Sequence, residues 1–310
     1  MMMDEKKKQK IDEIDSLYDA VLGHQTTHEF IDMLFEICKL RCVSPYNAMM
    51  VEFQKPGSLF VATPRRWARD FHRLPKAGAR PLVILQPFGP IAFVYDYSDT
   101  EDDGSGYGIK EQELLEEFAH PFRTNDVIGE AAFQRMKASL LQEGILYGEE
   151  SYGNLMGGCI GEANEKVFVY ETKKSRYYVK ASARINVNTQ LSLTEKYATV
   201  LHELGHYFCG HLGQFSNKKI PERYGELSKE TREFEAETAA WLCCKRLGIQ
   251  TQTEDYLVDF VGKENKIPPI RLSAILTAAG KIESLLSTTD NIRRDIVIRE
   301  SKETPASKAH

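Results

Sequence analysis

His202-Glu203-Leu204-Gly205-His206 constrains this chain more than any other stretch, because two histidines four apart can serve one ion only if the backbone between them is helical. At about 100° per residue they project from neighbouring points on one helix face, and both imidazoles reach a single cation. Glu203 lies one position around the helix. It can meet a water on that cation without ligating it, which is the placement a general base requires. Val200, Leu201, Leu204 and Phe208 fall on the side away from the histidines, so one face can dock in a core while the other holds metal. By composition, H-E-x-x-H arises by chance in on the order of one chain in a hundred of this length, so a third ligand must decide.

Downstream, Arg232-Glu233-Phe234-Glu235-Ala236-Glu237 offers three carboxylates that helical angles separate. Glu233 and Glu237 share a side with Ala236, Ala240, Cys244 and Leu247, an apolar side whose small residues admit a close neighbour. An acid buried there needs a partner. Glu235 projects nearly opposite, toward Lys245 and Arg246, and is expected to be a solvated surface residue. Glu233 is therefore the expected third ligand, leaving the fourth tetrahedral position to water as catalytic zinc requires. Glu237, one turn on, is expected to hold the ring N–H of a histidine ligand. Cys209 reads as a small buried residue. His211, placed by the same helical angles, points away from the other two histidines and reads as a polar or capping residue.

The rest of the chain is that of a globular protein. Its 310 residues, 42% hydrophobic and 27% charged, suffice for one to three domains with a sizeable core, which excludes disorder as the main state. The most apolar stretch, Pro81 to Tyr95, is interrupted by Gln86, Pro87, Gly89 and Pro90 and reads as two strands, far short of the roughly 20 apolar residues of a membrane span. Charge at Asp4 to Lys8 occupies the place of a signal peptide's apolar core, so a cytoplasmic location without membrane association is expected. Six cysteines without a C-x-x-C pair imply reduced thiols.

The net charge of −5 hides two segments of opposite sign. Between Phe60 and Arg80 lie Arg65, Arg66, Arg69, Arg73, Lys76 and Arg80 against Asp70 alone, a candidate surface for nucleic-acid phosphates. From Asp99 to Glu117, eight acids face Lys110 in a run containing Gly104, Gly106 and Gly108, which reads as a boundary. Thr63-Pro64 opens a ten-residue amphipathic helix in which Trp67, Phe71 and Leu74 form one line and Arg65, Arg69 and Arg73 another. Further helices are expected over 30–37, 129–142, 193–212, 228–247 and 269–286, with strands over 81–86, 91–97, 166–171 and 176–187 that suit a mixed sheet.

His202-Glu-Leu-Gly-His206, followed by Gly210-His211, Glu233-Phe-Glu-Ala-Glu237 and Ala239-Ala240, resembles the ImmA/IrrE-type zinc metallopeptidases over about residues 180 to 250. The resemblance implies a zincin-like fold with His202, His206 and Glu233 as ligands, Glu203 as base, and a transcriptional repressor as substrate. Ser44-Pro45-Tyr46-Asn47-Ala48, Ala62-Thr63, Trp67, Lys76 to Arg80 and Phe93 to Glu101 resemble the N-terminal domain of ArdC-type antirestriction proteins over about 26 to 101. That second resemblance implies single-stranded-DNA binding beside a metallopeptidase-like domain.

Together these readings give an α+β chain: a charged arm (1–20), an ArdC-like recognition domain (21–108), a zincin-like metallopeptidase domain (109–290) and a tail (291–310). The expected function is zinc-dependent cleavage of a regulatory or DNA-associated protein, with single-stranded DNA as a possible trigger. The alternative is a single-stranded-DNA-binding antirestriction or interaction protein whose zinc serves the fold.

Overall fold

The computed structural model describes residues 27–86, 91–118, 128–153, 156–213, 225, 227–249, 268–287 and 292–301. The expected arm, Pro221 and the residues after 301 lie outside the described residues. In chain order the elements are α1 (Thr27–Lys39), α2 (Pro45–Gln54), β1 (Val61–Ala62), α3 (Pro64–Phe71), β2 (Arg73–Pro75), β3 (Leu82–Ile84) and β4 (Ala92–Asp96). Then follow β5 (Thr100–Asp102), α4 (Glu111–Phe118), α5 (Glu130–Leu140), β6 (Ile145–Glu150), β7 (Gly158–Glu171), β8 (Ser175–Asn188) and α6 (Leu193–Cys209). The last are α7 (Lys229–Leu247), α8 (Leu272–Leu286) and β9 (Val297–Ser301). This mixture of helices and sheets is an α+β fold, and the chain divides into two compact units, Met1–Asp126 with Ser228–Gly280 and Val127–Leu227 with Lys281–His310.

In the first unit, local chemistry sets where the helices begin. Ser44 and Thr63 accept the backbone N–H of Asn47 and Arg66, each followed by a proline at the first helical position. α3 is shorter than its sequence suggests. His72 adopts the left-handed region (φ 50°, ψ 43°) and ends the helix at Phe71, so Arg73 and Leu74 lie on β2, paired with β5. The expected apolar line therefore stops at Phe71, and Leu74 is exposed. Phe60, Ala62, Trp67, Phe71 and Leu114 form a core beside the antiparallel sheet β1-β4-β3, with the Trp67 indole donating to the Tyr95 carbonyl at 2.8 Å. The acidic glycine run folds back on this unit. Asp102 accepts the N–H groups of Gly104, Gly106 and Gly108, which holds its carboxyl below the usual range, while the N–H of Ile109 donates to the Phe71 carbonyl.

The free edge of β3 is covered by side-chain amides. Gln54 donates to the Val83 carbonyl and accepts its N–H, both at 2.8 Å, and Asn47 does the same for Leu85 at 3.0 Å. One helix thus supplies the bonds a neighbouring strand would make. α7 completes the unit: Phe234 packs near Phe30, and Trp241 meets Phe35 edge to face at 5.3 Å. Arg246, expected at a solvated surface, is buried; Nη1 donates to the carbonyls of Ile37 and Leu40, and Nη2 donates to that of Val43.

The second unit is built on a mixed sheet in the order β6-β8-β7, with β9 also on β8. β6 runs parallel to β8, whereas β7 and β9 run antiparallel to it. Val179, Ala181, Ala183, Ile185 and Val187 alternate along β8 and are fully buried, the period of two that one covered sheet face demands. α6 packs against β7 and β8. Gly158 permits that approach, because a Cβ there would stand 2.7 Å from the Asn186 carbonyl oxygen and 2.8 Å from Thr199 Cγ2.

Candidate metal centre

α6 is fixed at both ends. Ser192 and Glu195 form a reciprocal capping box at its start, and Val200, Leu201 and Leu204 anchor it in the core. The opposite face carries His202 and His206, both half-buried. Their Nε2 atoms approach to 3.2 Å with the rings at 80°. A tetrahedral zinc with Zn–N of 2.0–2.1 Å sets two nitrogen ligands about 3.3 Å apart, so this pair has the spacing of one edge of such a site. Glu203, next along the helix, is 7% exposed.

The helix ends where Gly210 takes the left-handed conformation (φ 80°, ψ 30°). The His211 N–H returns to the His206 carbonyl at 3.0 Å and the Gly210 N–H to that of Tyr207 at 3.3 Å, the bond pair of a Schellman motif. This reversal carries the buried His211 ring back over the preceding turn, placing its Nδ1 3.1 Å from Nδ1 of His206. The sequence reading turned His211 away because it extended helical angles past Cys209. Gly210 was the available signal, since a residue directly after such a glycine meets the one five positions before it. Cys209 is buried, as its residue type suggested.

On α7, Glu233 and Glu237 are half-buried. Burial first, and the nearby Glu237 charge second, push the Cys244 thiol up to about 12, in keeping with the shared helix side. Glu235 corrects the sequence reading. It is fully buried, its Oε1 accepts the Arg271 backbone N–H at 2.9 Å and the guanidinium Nε at 3.3 Å, and its Oε2 accepts Nη2 at 3.3 Å. Helical angles correctly separated it from Glu233 and Glu237, but α7 is covered on more than one side, so its second side holds paired polar groups instead of water.

The six basic residues of the first unit are not equivalent. Arg73 donates to the Thr100 hydroxyl and carbonyl and to the Ile109 carbonyl, and lies 4.2 Å over the Tyr97 ring. Arg69 pairs with Asp70, Arg66 lies 3.7 Å from Asp70 and packs over Phe60 and Phe71, and Lys76 donates to the Ser98 carbonyl. Arg65 and Arg80 are exposed and form no ion pair with a described residue. Trp67 and Phe71 belong to the core.

Comparison with known proteins places residues 164–259 in a match to the Peptidase_M78 family model, described as the IrrE N-terminal-like domain. That span contains the H-E-x-x-H segment and the Glu233 to Glu237 segment. Two solved structures of the antirestriction ArdC protein from plasmid R388 are similar, each over 81% of this chain and 86% of theirs. The metal-free form has 14% identity and a TM-score of 0.35, and the Mn(II)-bound form 16% and 0.36. No curated protein matches. Among the described residues, no helix is long and apolar enough to cross a membrane.

Proposed function

We propose that this chain is a zinc-dependent endopeptidase with His202, His206 and Glu233 as ligands and Glu203 as general base. The observation that carries the reading is the 3.2 Å approach of the His202 and His206 Nε2 atoms on a helix that also presents Glu203. The family match over 164–259 supports it. Zinc, when bound, supplies Lewis-acid polarisation of the peptide carbonyl and a water pKa of about 7. The Glu203 carboxylate takes a proton from the attacking water and returns it to the leaving amide nitrogen. Glu237 is assigned to the ring N–H of a histidine ligand, fixing its tautomer. The proposed substrate is a regulatory or DNA-associated protein such as a transcriptional repressor.

The test uses zinc-loaded wild-type protein and Glu203→Gln on a peptide library prepared from a bacterial proteome, with new termini read by mass spectrometry. Wild type should generate a reproducible set of cleavage sites, and Glu203→Gln should lose them while retaining equal zinc. Undiminished cleavage by the variant would end this reading.

A second reading, single-stranded-DNA binding by the first unit, rests on Arg65 and Arg80, which are exposed and form no ion pair with a described residue. Arg73 serves the fold through its hydrogen bonds to Thr100 and Ile109, so the phosphate-binding surface would be smaller than six cations suggest.

A further inference from the structure

We infer that His211 is a positioning residue for the metal centre: it accepts the Nδ1–H of His206 and thereby presents the lone pair of His206 Nε2 to the ion. The inference rests on the metallopeptidase reading and adds a residue to it. A neutral imidazole carries one N–H and one lone pair, so the group facing Nδ1 decides which nitrogen can bind metal. His206 Nδ1 lies 3.1 Å from His211 Nδ1, and His206 Nε2 lies on its other side, 3.2 Å from His202 Nε2. The short Nδ1 contact needs one donor and one acceptor. If His206 donates, its Nε2 is a lone pair aimed toward His202; if His211 donates, His206 Nε2 carries the proton and cannot ligate.

The backbone makes this pairing durable. The Schellman bonds from His211 to His206 and from Gly210 to Tyr207 fix the chain reversal, and His211 is 3% exposed, so bulk water does not compete for the contact. Histidine metal ligands ordinarily give their second N–H to a carboxylate, a carbonyl or water; here an imidazole takes that place, delivered by the helix's own C-terminal turn.

The experiment compares wild type, His211→Phe and His211→Asn as purified full-length chains. Zinc affinity is measured by competition with a chromophoric chelator, and the His206 tautomer of the metal-free protein by nitrogen-15 NMR of the imidazole. Loss of a partner to a metal ligand typically weakens binding 10- to 100-fold, the range expected for His211→Phe. His211→Asn retains an acceptor and should recover most of that loss. In wild type the Nδ1–H form of His206 should dominate, and in His211→Phe that preference should fall. Thermal melting of the metal-free variants reports folding separately, and a structural role alone would shift it without moving the tautomer. Zinc affinity and tautomer unchanged in a folded His211→Phe would overturn the inference, whereas failure of wild type itself to bind zinc would overturn the metallopeptidase reading beneath it.

Discussion

Arg246→Ala should destabilise the first unit by about 3–4 kcal/mol. Its guanidinium donates three bonds of 2.7–3.0 Å to the carbonyls of Ile37, Leu40 and Val43. Ile37 lies in the last turn of α1, where carbonyls have no partner within the helix, and a cation there also complements the helix dipole. Hydrogen bonds involving a charged group contribute roughly 1.5–3 kcal/mol each, so three suggest at least about 4.5 kcal/mol. Removing Arg246 also releases its own cost of burial, and the carbonyls regain some water through the space left, which lowers the net figure to the range above. Arg246→Lys keeps the charge but not the planar fork, and should cost about 1–2 kcal/mol. Urea unfolding followed by tryptophan fluorescence is the assay, since Trp67 and Trp241 both belong to this unit. A loss below about 1 kcal/mol for Arg246→Ala would refute the claim that these bonds hold α1 and α7 together.

Glu149 is paired with Lys196 at 2.7 Å, which depresses its carboxyl below the usual range. Because the folded state lowers this pKa, the stabilisation is present above the ordinary carboxylate range and is lost as pH falls through the depressed value. Glu149→Gln should therefore narrow the stability difference between pH 7 and pH 3 in thermal melts, and an unchanged difference would contradict the assignment. If the first unit binds single-stranded DNA, Arg65→Glu with Arg80→Glu should weaken binding in a mobility-shift assay and reduce the slope of log affinity against log salt by about 0.7 per lost phosphate contact. An unchanged affinity and slope would remove these two side chains from any such surface.

Much of the fold was legible because local chemistry and tertiary structure agree. The helices expected from 193 and over 228–247 match the start of α6 and both ends of α7, although α6 stops at Cys209 and not at 212, and the alternation along β8 marks its buried face. What escaped prediction depended on departures from regular geometry or on packing by distant segments. His72 ends α3 in a left-handed conformation that histidine seldom adopts, so no glycine announced the stop. Glu235 and Arg246 looked solvated because a helical wheel assumes one wet side, whereas Arg271 and the carbonyls after α1 occupy that space. At the candidate site, the spacing of His202 and His206 was readable from the helical period, but His211 was not, since its ring reaches His206 only after the chain has left the helix.

The central claim, that His202, His206 and Glu233 hold one zinc ion, is tested most directly by metal analysis of protein purified without chelators, combined with X-ray absorption at the zinc edge. The account predicts one zinc per chain with two imidazole nitrogens and oxygen ligands in its shell, and loss of that zinc in His202→Ala and in Glu233→Gln. A chain that binds no zinc, or binds it equally well after both substitutions, would contradict it.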